Sequence, residues 1–263
     1  MKILDGRELA GYIKERQAHG VRSLRAEKKT PKLVIIRDSE NPVIMKYVGL
    51  KIRYGEDIGV PVSDVFANGL QELKDAVQKA NDDPEVSGII VQLPLANPDW
   101  TDKVVSLISP EKDVDGLSGK GEFDSATATA INWLLNGYNI DLNDKKIAIV
   151  GRGRLVGMPL IRMWQNSGFD VTVFHRGSDF SELKKFDVVV TATGNPHLIT
   201  NEMISAGAVV VDAGTASENG VILGDINEEI RAREDLSAIT PKIGGVGPLT
   251  VCVLFDDVIR ATE

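Results

Sequence analysis

Two side chains at helical spacing are the first candidates for ligand contact. Tyr47 and Lys51 stand four residues apart in the segment VIMKYVGLKIRYG, so they share one face of a predicted helix. A ring and an ammonium on one face could line the same cleft. The same spacing is common in surface pairs whose lysine extends into water, so the pair alone does not decide between the two interpretations.

A strand end and a charged turn supply further polar candidates. Gln92 follows an apolar run in SGIIVQLPL, next to Leu93 and Pro94, and parallel sheets bind ligands beyond the carboxyl ends of their strands. In the turn PEKDVDG, Asp113 is typical of a cap and Asp115 of a loop carboxylate. Either position could instead contact a ligand.

A glycine-rich turn predicts a phosphate site. The apolar run KKIAIV leads into GRGRLVGMP, which places Gly151, Gly153 and Gly157 at the turn and at the start of a helix. Without a Cβ, backbone N–H groups and the helix N-terminus can approach a pyrophosphate closely. The spacing is GxGxxxG, so the motif depends on its strand–turn–helix context, and a plain glycine turn with solvated arginines remains the alternative. The arginines within this turn are Arg152 and Arg154.

The next strand end indicates which dinucleotide binds. An acidic residue would bind the ribose diol of NAD at this place, but VTVFHR ends in His175 and Arg176, with Ser178 close behind. A guanidinium pairs with a 2′-phosphate and a carboxylate repels it, so Arg176 favours NADP. Two further strand ends add cofactor candidates: Thr193, Gly194, Asp212 and Gly214.

Composition narrows the class of protein. The 263 residues are 43% hydrophobic and 26% charged, which excludes a mainly disordered chain. The net charge of -8 makes nucleic acid and anionic lipid improbable partners. The single cysteine, Cys252, lies in an apolar run, and no signal peptide or spanning segment is evident. We therefore expect a soluble cytoplasmic protein, and the histidines have no companions that would form a metal site.

The order of apolar runs predicts an α/β fold. Runs at 32–38, 62–67 and 87–95 alternate with helical patterns after an amphipathic helix at Gly6 to Lys28, and this indicates a parallel sheet. A linking helix is expected at 125–137. From Lys145, four β-rich runs about 20 residues apart predict a Rossmann-like doubly wound parallel sheet, and an apolar helix closes the chain. The expectation is two α/β domains flanking a cleft.

Six segments together resemble a known family. YVGLK, GIIVQLPL, PEKDVDG, GRGRLVGMP, DAG and GGVGPLT, in this order, are similar to the bifunctional methylenetetrahydrofolate dehydrogenase / methenyltetrahydrofolate cyclohydrolase family over essentially the whole chain. The resemblance implies oxidation of 5,10-methylenetetrahydrofolate with NADP, then hydrolysis of the methenyl product to 10-formyltetrahydrofolate in the same cleft. It also implies one-carbon metabolism, a role in purine biosynthesis and a homodimer.

The resemblance assigns roles to the candidate residues. It implies that Lys51 is the essential lysine, that Tyr47 positions the folate, that Gln92 orients Lys51 and that Asp115 holds the pterin amino groups. The substrate wall is completed by the following positions: Leu93, Pro94, Gly245, Pro248 and Thr250. The implied domains are a folate-binding catalytic domain, 1–124 plus the C-terminal helix 246–263, and an NADP-binding domain, 125–245.

Departures from the family pattern leave alternatives open. SATATA (125–130) replaces a Pro-Cys-Thr-Pro segment, Ile44 stands where the family has serine, Gly153 replaces the serine of a Gly-Arg-Ser turn, and the stretch between Gly116 and Ser125 is shorter. A monofunctional NADP-dependent dehydrogenase is therefore the second hypothesis. A binding module without turnover and a shikimate- or glutamyl-type oxidoreductase are the others.

Overall fold

The computed structural model describes residues 1–214, 216–218 and 221–263. In chain order the elements are β1 (Lys2–Ile3), α1 (Gly6–Ala26), β2 (Leu33–Arg37), α2 (Pro42–Ile58), β3 (Val62–Phe66), α3 (Leu70–Asp82), β4 (Gly88–Val91), α4 (Thr101–Val105), α5 (Ala126–Gly137), β5 (Ile147–Val150), α6 (Gly157–Asn166), β6 (Val171–Phe174), β7 (Val188–Thr191), β8 (Val209–Asp212), β9 (Ala216–Glu218), β10 (Val221–Leu223), α7 (Glu228–Arg231), β11 (Ala238–Ile239) and α8 (Val246–Arg260). Short 3-10 helices lie at Pro98–Trp100, Pro110–Lys112, Phe180–Lys185 and Asn201–Met203.

The chain divides into two compact units. The first unit comprises Gly11–Ala126 and Val251–Glu263, and the second comprises Met1–Ala10 and Thr127–Thr250. The division differs from the predicted domains at the N-terminus and in the C-terminal helix, of which residues 246–250 belong to the second unit. Met1–Ala10 belongs to the second unit because β1 pairs in parallel with β11, where Lys2 lies opposite Ala238.

The first unit contains a three-stranded parallel sheet. Its order is β3-β2-β4, so β2 lies in the centre, and both β2 and β4 are buried along their whole length. The chain leaves β2 to one side and returns on the other, which opens a crevice at the carboxyl ends of β2 and β4. Helix α2 starts there: Asn41 caps it by accepting a hydrogen bond from the Val43 N–H at 2.9 Å. Its far end is closed by Gly59 in the left-handed region, with φ of 83°.

The second unit contains a six-stranded parallel sheet and a hairpin. The sheet order is β1-β11-β8-β7-β5-β6, and β9 pairs with β10 in an antiparallel hairpin. From β5 the chain first adds β6 on one side and then β7 and β8 on the other, which is the doubly wound pattern. The predicted α/β class with a Rossmann-like sheet is confirmed. The cofactor crevice of such a sheet lies where the order reverses, at the carboxyl ends of β5 and β7.

Strands with long apolar runs lie where the sequence predicts them. β5 and β7 are buried at every residue, as expected for strands covered on both faces. Apolar residues of β5, β7 and β8 meet Leu183, Ile204 and Ile230 in the core of the second unit. Among the described residues, no helix is both long and apolar enough to cross a bilayer.

Candidate active site

Lys51 and Gln92 meet at the carboxyl end of the first unit's sheet. The Gln92 N–H donates to the Ile36 carbonyl at 2.8 Å, which fixes the backbone at the end of β4. The Gln92 amide nitrogen donates to the Leu93 carbonyl at 2.9 Å, so its oxygen faces the lysine. Lys51 Nζ donates to that oxygen at 2.7 Å. Helix α2 and the strand end therefore bring together two candidates that are 41 residues apart in sequence.

Asp113 builds the turn that presents Asp115. The buried Asp113 carboxylate accepts from Leu117 N–H at 3.2 Å and from Ser118 N–H at 2.8 Å, as a capping residue does. Gly116 takes a φ of 63°, and a Cβ there would lie 2.7 Å from the Phe123 carbonyl oxygen. Asp115 stays partly exposed on this turn and interacts electrostatically with Lys51.

Burial sets the ionisation of this group. Desolvation lowers the pKa of Lys51, and the nearby Asp115 carboxylate opposes that shift. Desolvation raises the pKa of Asp115 to about 6, with Lys51 opposing the shift and Asp113 adding to it. Burial also raises the pKa of the Tyr47 hydroxyl. The site thus holds an amine that loses its proton more readily than a free lysine.

A further carboxyl group, which is not among the residues predicted from the sequence, interacts with this site. Asp257 on α8 is only 5% exposed, and Arg260 donates to it at 3.0 Å. Burial raises its pKa to about 7, Arg260 opposes the shift, and the charges of Asp256 and, to a smaller extent, Asp115 add to it. Its sequence signal is an acidic residue within the buried stripe of the apolar helix GVGPLTVCVLFDDVIRA.

The other predicted folate residues have different surroundings. Tyr47 is half-buried on α2, Leu93 is partly buried and Pro94 is exposed. In the second unit, a Cβ on buried Gly245 would lie 3.0 Å from Thr240 Cβ, and the preceding residue, Gly244, accepts a hydrogen bond from the Gly6 N–H at 2.8 Å. Pro248 lies in the first turn of α8, where its missing N–H costs nothing, and Thr250 donates its hydroxyl to the Val246 carbonyl at 3.3 Å.

The glycine-rich turn after β5 is closely packed. Gly151 has a φ of 109°, and a Cβ there would lie 2.5 Å from the Ala192 carbonyl oxygen. A Cβ on Gly157 would lie 2.3 Å from the Gly151 carbonyl oxygen, so the helix start lies directly against the turn. At Gly153 the nearest atom would be 3.9 Å away. Arg152, Gly153 and Arg154 are exposed. The turn is a backbone cradle of the kind that receives a pyrophosphate.

The end of β6 presents an exposed cation beside this cradle. β6 pairs with β5, so His175 and Arg176 follow the strand next to the glycine turn. Ser178 closes this end: its hydroxyl accepts from His175 N–H at 3.0 Å, and its N–H donates to the His175 carbonyl at 2.9 Å. Within the described part of the chain, the Arg176 guanidinium is exposed and has no carboxylate partner. These residues fit an anionic group.

The remaining cofactor candidates follow β7 and β8. Thr193 is partly buried, Gly194 is exposed and Gly214 is buried. The Asp212 side chain is only 2% exposed and forms an ion pair with Arg231 at 2.7 Å. Its oxygens point into the unit, and its contact with a cofactor stays a prediction.

Two positions where this chain departs from the family pattern are also buried. Ile44 is 6% exposed among apolar residues of α2, so no hydroxyl replaces the family serine at this point of the helix. Ser125 is 4% exposed, and α5 begins immediately after it.

Comparisons with known proteins agree with this arrangement. Residues 4–115 match the family "Tetrahydrofolate dehydrogenase/cyclohydrolase, catalytic domain", and residues 125–263 match "Tetrahydrofolate dehydrogenase/cyclohydrolase, NAD(P)-binding domain". The "Bifunctional protein FolD" of Hydrogenobaculum sp. is 38% identical, with 99% of this chain and 98% of the relative covered. That of Lactobacillus acidophilus is 36% identical, with 100% and 97% covered.

Solved structures give the same answer. The bifunctional FolD enzyme of Campylobacter jejuni superposes with a TM-score of 0.91 at 33% identity and covers 100% of this chain and 98% of its own. The enzyme of Trypanosoma brucei, solved with NADP and an inhibitor, has a TM-score of 0.90 at 29% identity, with 99% and 96% covered. This chain therefore belongs to the tetrahydrofolate dehydrogenase/cyclohydrolase family.

Proposed function

We propose that Lys51 carries the hydrolytic step of a bifunctional methylenetetrahydrofolate dehydrogenase and methenyltetrahydrofolate cyclohydrolase. The chain oxidises 5,10-methylenetetrahydrofolate to the 5,10-methenyl cation and hydrolyses that cation to 10-formyltetrahydrofolate. The main support for this proposal is the hydrogen bond of 2.7 Å from Lys51 Nζ to the Gln92 side chain. The charge of Asp115, on the turn after residue 112, interacts with the same amine.

The hydrolysis needs a proton acceptor and a proton donor. Water adds to the methenyl carbon and loses one proton, which leaves a hydroxyl on that carbon. The bond from the carbon to N5 then breaks as N5 gains a proton and the hydroxyl loses its own to become the formyl oxygen, so the reaction releases one proton overall. Lys51 in its neutral form can take the first proton at Nζ and return one to N5. Burial of Lys51 lowers its pKa and so raises the neutral fraction near pH 7. Gln92 holds the amine in one orientation for both transfers.

Asp115 and Tyr47 are proposed to hold the folate. A carboxylate offers only acceptors, which suits the adjacent N–H donors on one edge of the pterin. The half-buried Tyr47 ring lies one helical turn before Lys51 and gives the folate an apolar surface on which to stack. Gly245, Pro248 and Thr250 are also proposed to contact the substrate.

NADP is the oxidant, and the second unit's residues fit it. When bound, NADP accepts the hydride from the methylene carbon. A Cβ at Gly151 or Gly157 would meet backbone oxygens of the protein itself, so these glycines allow the tight turn and the close helix start of a dinucleotide cradle. Arg176 is proposed to bind the 2′-phosphate, assisted by Ser178 and Arg152, with His175 beside the adenosine.

A substitution at Lys51 tests this assignment. Lys51→Met keeps the length of the side chain and removes the amine, so we expect cyclohydrolase activity to fall about a hundred- to ten-thousand-fold. NADP binding should stay at the parental level. Lys46→Met is the matched control, because Lys46 is exposed on the same helix. A Lys51→Met protein that forms 10-formyltetrahydrofolate at the parental rate would remove Lys51 from the mechanism.

A monofunctional dehydrogenase is the second candidate function. It is favoured by one observation: Ile44 is buried on the helix that carries Lys51 and supplies no hydroxyl there. Such an enzyme would form NADPH and release the methenyl compound, which would then hydrolyse at the rate seen in buffer alone.

We also propose a cellular compartment, an oligomeric state and a metabolic role for the enzyme. We infer a cytoplasmic homodimer whose product supplies one-carbon units for purine biosynthesis. The buried thiol of Cys252 supports a reducing compartment, and the unpaired edge of β6 offers a surface for a second copy. Sedimentation equilibrium would give twice the chain mass for a dimer. The net charge of -8 supports the absence of nucleic-acid partners.

A further inference from the structure

Two buried carboxyl groups lie behind the ends of β7 and β8. Asp212 is fully satisfied: it accepts from the Thr191 hydroxyl at 3.2 Å, from Gly214 N–H at 3.1 Å and from the Arg231 guanidinium at 2.7 Å. Arg231 neutralises its charge. No step of the proposed chemistry uses this group, and these hydrogen bonds hold it within the second unit.

Asp225 is the second carboxyl, and its environment differs. It is completely buried, and its Oδ2 accepts from the Thr193 N–H at 2.6 Å. Its Oδ1 has no hydrogen-bond partner in the described part of the chain. Its own N–H donates to Asp212 at 3.1 Å. A buried carboxyl group with one open oxygen costs free energy, so packing alone gives no account of it.

Gly214 makes the room that Asp225 occupies. A Cβ on Gly214 would lie 2.1 Å from the Asp225 carboxyl carbon, so any larger residue would displace that group. The Asp225 carboxyl group therefore lies between Gly214, which it contacts on one side, and the Thr193 N–H, from which it accepts a hydrogen bond.

The turn held in this way faces the glycine cradle. Ala192 immediately precedes Thr193, and its carbonyl oxygen is the atom that a Cβ on Gly151 would meet. The Thr193 hydroxyl accepts from Asn195 N–H at 3.1 Å, which closes the turn on itself. A shift of Thr193 would move the wall that lies opposite Gly151, at the point where a doubly wound sheet binds its ligand.

We propose that Asp225 is a positioning residue of the cofactor site, which holds Thr193 and Gly194 against the glycine cradle and so preorganises the site for NADP. The inference rests on the proposed role of that turn in binding the cofactor. Preorganisation lowers the conformational cost of binding, so its loss should weaken NADP more than it slows chemistry at saturating NADP.

Three variants test the proposal. Asp225→Ala removes the acceptor for Thr193, and Asp225→Asn keeps an oxygen acceptor without a charge. Asp187→Ala is the matched control: it also removes a carboxylate that accepts from a backbone N–H, that of Lys146 at 2.9 Å, but at the amino ends of β5 and β7. NADP dissociation constants are measured by titration calorimetry. Cyclohydrolase rates without NADP and thermal unfolding report whether each variant is folded.

We expect Asp225→Ala to weaken NADP at least tenfold, with kcat at saturating NADP within about threefold of the parent. Asp225→Asn should restore the affinity to within about threefold, and Asp187→Ala should leave it unchanged. Unaltered NADP affinity in a folded Asp225→Ala protein would overturn the proposal, and so would an equal loss in Asp187→Ala. Failure of the proposed function would show separately, as a parental protein that does not reduce NADP.

Discussion

Lys51 and Asp115 both favour the neutral form more than isolated side chains do. Desolvation is the largest cause for each, and it lowers the pKa of the lysine and raises that of the carboxyl to about 6. The mutual attraction between the two charges only partly opposes these shifts. A change of pH around 6 therefore alters the charge of Asp115.

The folate affinity should depend on the ionisation of Asp115. Only the carboxylate accepts hydrogen bonds from two pterin donors, so kcat/KM for 5,10-methylenetetrahydrofolate should fall about tenfold per pH unit below pH 6. Steady-state rates between pH 5 and pH 8 measure this. Asp115→Asn should give a lower value of kcat/KM with no such break. A parental profile that stays flat down to pH 5 would contradict the assigned role.

Arg176 should discriminate between the two dinucleotides. A charge-assisted hydrogen bond contributes about 1.5–3 kcal/mol, so Arg176→Ala should weaken NADP by roughly ten- to a hundredfold. NAD lacks the 2′-phosphate, and its affinity should change less than twofold. Arg162→Ala, which alters an exposed arginine on α6, is the control. Equal losses for both dinucleotides would show that Arg176 does not contact the 2′-phosphate.

At the scale of elements, helix α8 contains a buried carboxyl group, Asp257, whose pKa is raised to about 7. Between pH 4 and pH 7 the folded chain keeps the Asp257 proton and the unfolded chain releases it, so the free energy of unfolding falls as pH rises. Asp257→Asn removes this dependence. Its advantage in stability over the parent should grow across that window by at most about 1.4 kcal/mol per pH unit. Urea unfolding at pH 5 and pH 7 gives the two values, and an advantage that shrinks as pH rises would refute the buried proton.

The start of α6 should be intolerant of a side chain. A Cβ on Gly157 would lie 2.3 Å from a backbone oxygen, so Gly157→Ala must shift the helix or the turn. We expect a loss of about 1–3 kcal/mol in the free energy of unfolding. Gly153→Ala is the control, since its nearest neighbour would be 3.9 Å away. A Gly157→Ala protein as stable as Gly153→Ala would show that the turn relaxes freely.

The long apolar strands and the helices between them could be predicted from the sequence, because burial on both faces leaves runs such as IAIV and VVVT. The two-residue strands β1 and β11 could not, since they are too short to show periodicity. They form strands only because β11 pairs with β8 and β1 pairs with β11.

Some polar residues of the site could be predicted from the sequence and others could not. Lys51 and Gln92 stand at positions that helix spacing and strand ends make visible, and the family motifs support them. The sequence around Asp225 and Asp257 contains no recognised functional motif. Both side chains are buried because segments that are distant in sequence pack against them. No local pattern marks Asp225, whose neighbours Thr193 and Gly214 come from other segments, and the apolar stripe around Asp257 does not reveal its interaction with Asp115.

At the scale of the whole molecule, one chain combines an oxidation and a hydrolysis of the same carbon atom. Its net charge of -8 repels anionic ligands at long range, so the proposed NADP site has to offset that repulsion with local cations and backbone N–H groups. The two steps make different demands: the first needs a bound dinucleotide, and the second needs an amine that can exchange a proton.

The most direct test of the account is a progress curve of the parental protein with 5,10-methylenetetrahydrofolate and NADP, in which NADPH, the methenyl compound and 10-formyltetrahydrofolate are measured together. The account predicts equal amounts of NADPH and 10-formyltetrahydrofolate, formed faster than spontaneous hydrolysis allows. Accumulation of the methenyl compound in step with NADPH, followed by its decay at the rate of the buffer alone, would contradict it.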